Sequence, residues 1–189
     1  IDLITKNSDL LLKLINDILD LSRIESGSMS FSYENLDLSK LMGDIFHTHQ
    51  LMMPEGVELK IRVPHEPLII RSDHFRLTQV CNNFINNAVK FTAKGYIEIG
   101  YELSADGKSI LISVKDTGKG IPDDKKEKVF ERFQKLDEFA QGTGLGLAIC
   151  QSIVHTFHGS ISLESEVGVG SKFTISLPYT PGLELEERT

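Results

Sequence analysis

Asn82-Asn83-Phe84-Ile85-Asn86-Asn87-Ala88-Val89-Lys90-Phe91-Thr92 is the stretch that decides the reading of this chain. It sits in a helical pattern that Asp73 can cap and that ends before Gly95, with Leu77, Val80, Cys81, Phe84, Ile85 and Ala88 on its apolar side. Four asparagines within six positions are unfavourable in a helix interior, where the short amide competes for backbone hydrogen bonds. Asn83, Asn87 and Lys90 stand at i, i+4 and i+7 and share a second, polar face. A merely solvated face would tolerate amides without requiring them. A ligand face would use them: Mg²⁺ takes neutral oxygen ligands and keeps water and substrate phosphate in its shell. Lys90 can then meet a phosphate as a point charge.

Two glycine turns lie downstream. Asp116-Thr117-Gly118-Lys119-Gly120-Ile121 follows an apolar strand. Its glycines permit close approach to a flat ligand, and an Asp at a strand end can accept from an exocyclic amine such as that of adenine. Alone, Asp-Thr-Gly is also an ordinary turn. Gly142-Thr143-Gly144-Leu145-Gly146-Leu147 enters a helix, where free N–H groups and the helix dipole favour anions. Its G-x-G-x-G spacing is neither the dinucleotide fingerprint nor a Walker A loop, since no Lys-Ser/Thr closes it. Between the turns, Val129-Phe130-Glu131-Arg132-Phe133-Gln134-Lys135 places two aromatics and two cations where a lid over a nucleotide would lie. Plain packing of the two phenylalanines is the alternative.

Around these motifs the chain reads as one helix followed by a globular α+β portion. Leu11, Leu14, Ile18 and Leu21 follow the a/d rhythm of a coiled-coil seam, and Leu10, Ile15 and Leu19 widen it. The polar run Ser26-Gly27-Ser28 should stop this helix, which cannot bury its stripe alone. Asp37 or Ser39 can cap a helix through Leu51. Strands are expected over 57–63, 68–70, 96–103, 109–114, 160–165 and 172–177, and Pro122 suits the start of a short helix. The last helix should run to about Phe157, stopped by Gly159. This order is not strict βαβ alternation, which favours a two-layer α/β sandwich preceded by a coiled-coil-like helix. The expected division is 1–28 for the helix, 29–180 for the globular domain and 181–189 for an acidic tail.

The net charge of -7 and the lack of a basic run exclude a nucleic-acid footprint. No apolar run approaches the roughly 18 residues that cross a bilayer. The chain begins on Ile1 without a leader-like stretch, so a piece of a longer protein is expected. Cys81 and Cys150 are too far apart for a metal-ligand motif and read as buried reduced thiols.

Taken together and in this order, the motifs resemble the asparagine box, first glycine box, phenylalanine box and second glycine box of two-component sensor histidine kinases. That family lies within the GHKL superfamily, which includes gyrase, the heat-shock chaperone ATPases and the mismatch-repair ATPase MutL. Leu11 to Gly27 is similar to the second helix of the family's dimerisation and phosphoacceptor hairpin, and Gly168-Val169-Gly170-Ser171-Lys172-Phe173-Thr174 to its closing strand pair. The resemblance implies the GHKL ATPase fold, a mixed sheet covered by helices on one face. It implies that ATP and Mg²⁺ bind, with Asn87 on the metal and Asn83 supporting the metal and phosphate side. Lys90 would touch phosphate. Asp116 would hold the adenine amine, with Gly118, Gly120 and Ile121 around the base. Thr143, Gly144, Leu145 and Gly146 would cradle phosphates. Arg132 and Lys135 would serve as lid cations, and Thr174 would lie near the base.

The same resemblance implies a kinase that phosphorylates a stalk histidine for relay to the aspartate of a response-regulator receiver domain. The full protein would be a homodimer through its stalk. The domain would be cytoplasmic, in a parent open to membrane anchorage. The acceptor is expected on a helix upstream of Ile1, so this chain is not expected to phosphorylate itself. His65 lies between Pro64 and Pro67, which exclude a helix interior, and His47, His49, His74, His155 and His158 read as surface or packing residues. ATP-hydrolysing relatives of the gyrase type carry a Glu where Asn83 stands. An amide cannot activate water as a base, which favours phosphoryl transfer over hydrolysis. An ATP-hydrolysing conformational machine, a signalling module that has lost nucleotide binding and an anti-sigma-type serine/threonine kinase are the alternatives.

Overall fold

The computed structural model describes residues 2–134 and 143–179; Lys135, Gly142 and the acidic tail lie outside the described residues. Helix α1 (Asp2–Glu25) ends where its sequence calls for an end. Gly27 takes φ +65°, its N–H reaches Ile24 O at 3.1 Å, and Ser28 N–H reaches Arg23 O at 2.9 Å. This pair of bonds closes the last turn, and it needs a left-handed residue at the glycine position.

Strand β1 (Glu34–Asp37) was not expected from the sequence, because its four residues carry no alternation. It pairs antiparallel with β3 (Ile69–Ser72), Leu36 opposite Ile70, in a small two-stranded sheet. Asp37 then caps α2 (Leu38–Gln50), accepting from the amides of Ser39 at 2.8 Å and Lys40 at 3.2 Å. Asp73 caps α3 (His74–Phe91) through Arg76 N at 2.9 Å, and its other oxygen accepts from Ser32 N at 2.6 Å. Each such cap is worth about 1 kcal/mol.

The main sheet contains β2 (Val57–Arg62), β4 (Gly95–Leu103), β5 (Ser109–Asp116), β6 (Ser160–Glu166) and β7 (Gly170–Pro178), in the order β2-β4-β5-β7-β6. Only β2 and β4 run parallel, joined by the crossover through β3 and α3; the other pairs are antiparallel. One face carries Ile97, Ile99, Ile110, Ile112, Phe173 and Ile175, all buried against α2, α3 and α5 (Gly146–Thr156). Phe84 of α3 stacks on Phe173 at 5.1 Å. Burying a side chain of this size contributes about 1.5–3 kcal/mol. The alternate positions point to the opposite face, where Glu98, Glu102 and Lys172 are half-buried and Lys115 is exposed. This is the two-layer α+β sandwich that the sequence order favours, with the helices on one face as the family resemblance implies. A short α4 (Asp123–Lys126) follows Pro122.

The end of α5 departs from expectation. The left-handed residue is His158, at φ +58°, with Gly159 N–H reaching Val154 O at 2.9 Å. Gly159 is needed for another reason: a Cβ there would stand 2.5 Å from the carbonyl oxygen of Ser176.

Candidate functional site

The asparagines of α3 divide between two tasks. Asn82 faces α2, where its Oδ1 lies 2.9 Å from Nε2 of the buried His49. Asn83, Asn86, Asn87 and Lys90 instead line a cleft of about 180 Å³. A single water needs only ~10–15 Å³, so this space suits an organic ligand. The same cleft receives Asp116, Gly120 and Ile121 from the first glycine turn and Thr143, Gly144 and Gly146 from the second. Sequence elements more than 50 positions apart therefore converge on one concavity.

The first turn is clamped from both sides. Asp116, at the end of β5, is buried and accepts from Gly118 N at 2.8 Å. Burial pushes its carboxyl above the ordinary carboxylate range, and backbone hydrogen bonds from Gly118 and Ser171 offset part of the rise. A Cβ on Gly118 would meet Phe91 O at 2.4 Å. Gly120 has φ +72°, and a Cβ there would meet Glu166 O at 2.0 Å. Both positions therefore exclude any larger residue. Ile121 N–H donates to Ser165 Oγ at 2.8 Å, fixing the exit of the turn.

At the second turn, Gly144 takes φ +72° and its carbonyl accepts from Phe133 N at 2.8 Å. Leu145 is fully buried and anchors the start of α5. Thr143 Oγ1 accepts from Leu145 N at 3.3 Å and donates to Asp17 Oδ2 of α1 at 2.6 Å. Asn83 Nδ2 donates to Cys150 Sγ at 3.4 Å. Burial pushes both Cys81 and Cys150 up to about 12, so these thiols stay protonated and are not nucleophiles.

Not every expected residue reaches the cleft. Among the described residues, Gly118, Arg132, Leu145 and Thr174 stand outside its lining. Arg132 forms an ion pair with Glu25 of α1. Thr174 is buried opposite Ser113 on β5, and its hydroxyl has no partner among the described residues. Lys135 lies outside the described residues. The structure adds Asn86, Ser171 and Phe173, which helix spacing and strand register could have supplied, since Ser171 pairs with Asp116. It also adds Lys13 of α1, for which the sequence carries no signal.

Lys13 arrives because α1 docks on the helical layer. Leu14, Leu21 and Ile24 pack against the core. Asp20 accepts from Gln79 Nε2 at 2.8 Å and from Arg76 Nη1 at 3.4 Å. Among the described residues, no three His, Cys, Asp or Glu side chains cluster as a metal site. A hard cation in the cleft would rely on amide oxygens and on the ligand's own phosphates. That donor set fits Mg²⁺, which is commonly held by few protein ligands together with substrate phosphate and water.

Residues 72–181 match the family of histidine kinase-, DNA gyrase B- and HSP90-like ATPases, and the chain belongs to that family. Within it, the similarity is to histidine kinase catalytic domains. The chain is 38% identical over 178 residues to the sensor histidine kinase RcsC of Escherichia coli K12, covering 91% of this chain and 18% of that protein. It is 33% identical over 183 residues to the sensor histidine kinase WalK of Bacillus subtilis, covering 94% of this chain and 30% of WalK. Among solved structures, full-length ShkA in complex with AMPPNP superposes with a TM-score of 0.83 at 32% identity, over 93% of this chain and 37% of ShkA. The chain thus spans less than a third of the length of RcsC and of WalK.

Proposed function

We propose that this catalytic domain binds Mg²⁺–ATP across the cleft and, in its full protein, transfers the γ-phosphate to a stalk histidine for relay to the aspartate of a response-regulator receiver domain. The observation that carries the reading is the polarity of one cleft. At one end stands a buried carboxylate with acceptor capacity to spare. At the other stand an amide-lined helix and a glycine turn opening α5. A flat base with an exocyclic amine suits the first end, and a polyphosphate suits the second. The ShkA relative, solved in complex with AMPPNP, supports an adenine nucleotide as the ligand.

In this reading Asp116 accepts from the adenine amine, Gly118, Gly120 and Ile121 shape the base site, and Thr174 lies behind it. Asn83, Lys90 and Thr143 to Gly146 hold phosphates, Arg132 and Lys135 belong to the lid, and Asn87 gives its amide oxygen to the metal. Mg²⁺, when bound, neutralises phosphate charge and orients the transferring group. Asn83 offers no basic lone pair, so the site holds ATP rather than hydrolysing it. Residues 1–28 belong to the dimerisation stalk, 29–180 to the catalytic domain and 181–189 to a tail. The full protein is a homodimer through the stalk, and this domain works in the cytoplasm.

Nucleotide titration with and without Mg²⁺ tests the site: Asn87→Ala should abolish the metal's contribution while the variant stays folded. With γ-labelled ATP, this chain alone should remain unlabelled, and a separately supplied stalk bearing the histidine should take up acid-labile label. Self-labelling of the chain, or Mg²⁺-independent binding, would contradict the proposal.

A further inference from the structure

Lys13 sits where two cavities meet. It lines the nucleotide cleft together with Asn83, Asn86, Asn87 and Thr143, and it also lines the groove between α1 and α3 with Asp17, Asp20, Asn83 and Asn86. Asp116 lies in the first cavity and not in the second. Lys13 therefore marks the end of the cleft away from Asp116. A base held at Asp116 directs its phosphate chain toward this end.

The position is held by contacts of the residues that follow Lys13 on α1. Leu14 packs into the core, Asp17 accepts from Thr143 at 2.6 Å, and Asp20 accepts from Gln79 at 2.8 Å. Thr143 precedes α5 and Gly146 is its first residue, so both lie at the positive end of this helix. Lys90 adjoins Phe91, whose carbonyl accepts from Lys119 of the first glycine turn, whereas Lys13 stands at the end shared with the α1–α3 groove, so a phosphate chain running from Asp116 ends nearer Lys13. An ammonium on a flexible stem meets a terminal phosphate as a point charge.

We propose that Lys13, on the stalk helix, is a binding residue for the terminal phosphate of ATP, so that the docked helix completes the nucleotide site and favours ATP over ADP. This rests on the nucleotide reading above. The test is titration of the whole 189-residue chain with AMPPNP and with ADP, each with Mg²⁺, for wild type and for Lys13→Met, Lys13→Arg and Arg23→Met. Arg23 shares the helix and lines only the α1–α3 groove, so it controls for bulk charge. Lys13→Met should weaken AMPPNP binding about five- to ten-fold, the loss of one partly solvated charged hydrogen bond, with ADP changed less than about two-fold. Lys13→Arg should retain the preference, and Arg23→Met should leave both affinities unchanged. An unchanged triphosphate preference in Lys13→Met, an equal loss in Arg23→Met, or no preference in wild type would overturn the assignment of Lys13 while leaving nucleotide binding intact. Failure of wild type to bind either nucleotide would overturn the nucleotide reading itself and this inference with it.

Discussion

Replacing Asp116 by Asn separates a binding role from a folding role. The carboxylate already serves Gly118 N–H at 2.8 Å and the backbone of Ser171, and Asp116 lines the cleft with the acceptor capacity left over. An asparagine has one acceptor oxygen. If that oxygen keeps the Gly118 bond, the NH₂ group turns toward the base and places donor against donor. The lost charged hydrogen bond is worth about 1.5–3 kcal/mol, so Kd for ATP should rise about ten- to hundred-fold. Stability should move the other way or not at all. Burial raises the folded-state pKa of Asp116 above its unfolded value, so the folded chain binds the proton more tightly. Below the unfolded pKa both states are protonated and the group contributes nothing. As pH rises through the window up to the raised folded value, stability falls, and above it the full cost of the buried charge is present. Asp116→Asn removes that slope and should leave stability at neutral pH within about 1 kcal/mol of wild type or slightly higher. Calorimetric ATP titration and urea unfolding across acidic to neutral pH measure both effects. A folded variant whose Kd stays within about three-fold of wild type would refute the adenine role. A variant that unfolds readily would instead make Asp116 a structural residue.

Three further substitutions follow from local geometry. Gly120→Ala adds a Cβ 2.0 Å from Glu166 O at φ +72°, and urea unfolding should show a loss of about 2–4 kcal/mol together with weakened nucleotide binding. His158→Gly relieves the left-handed conformation at φ +58° and should raise stability by about 0.5–1 kcal/mol in the same assay. Asp20→Ala strips the partner from Arg76, whose side chain is only 9% exposed. Thermal and urea melts should lose about 1–3 kcal/mol, below the value for a fully buried pair because Gln79 still bonds Arg76 at 2.9 Å.

The elements legible in the sequence are those fixed by near neighbours. Asp37 and Asp73 cap the helices they were expected to cap, and Gly27 closes α1, because each acts within a few residues of itself. The amphipathic split of α3 follows from spacing alone, as does the apolar alternation of β4 and β5. What could not be read depends on distant partners. β1 exists only because Ile70 lies opposite Leu36, and its own sequence has no strand pattern. The helix stop at His158 rather than Gly159 arises because the glycine is needed where the backbone of β7 passes. Arg132 pairs with Glu25, 107 positions earlier. Nothing local to either residue announces that pairing.

The stripe on α1 carries the same lesson further. Read as one seam, Leu11, Leu14, Ile18 and Leu21 belong together, yet the folded chain divides them. Leu14 and Leu21, with Ile24, turn inward against the catalytic layer. Leu11, Ile15 and Ile18, with Leu12 and Leu19, turn outward and are between 46% and 59% exposed. The two faces differ in kind. The outward one is apolar and gains only by excluding water, which suits a lasting helix partner in the proposed dimer. The inward one mixes three apolar contacts with the hydrogen bonds of Asp17 and Asp20 and the ion pair of Glu25, which water can replace at a net cost of about 1 kcal/mol each. Of the two surfaces, the inward one is cheaper to open. Phe31 and Tyr33, just past Gly27, pack on Phe157 at 5.6 and 6.1 Å and so stay with the catalytic layer. A change in how the stalk meets the catalytic domain should therefore pivot between Gly27 and Phe31, and it would carry Lys13 and Asp17 away from the phosphate end of the cleft together.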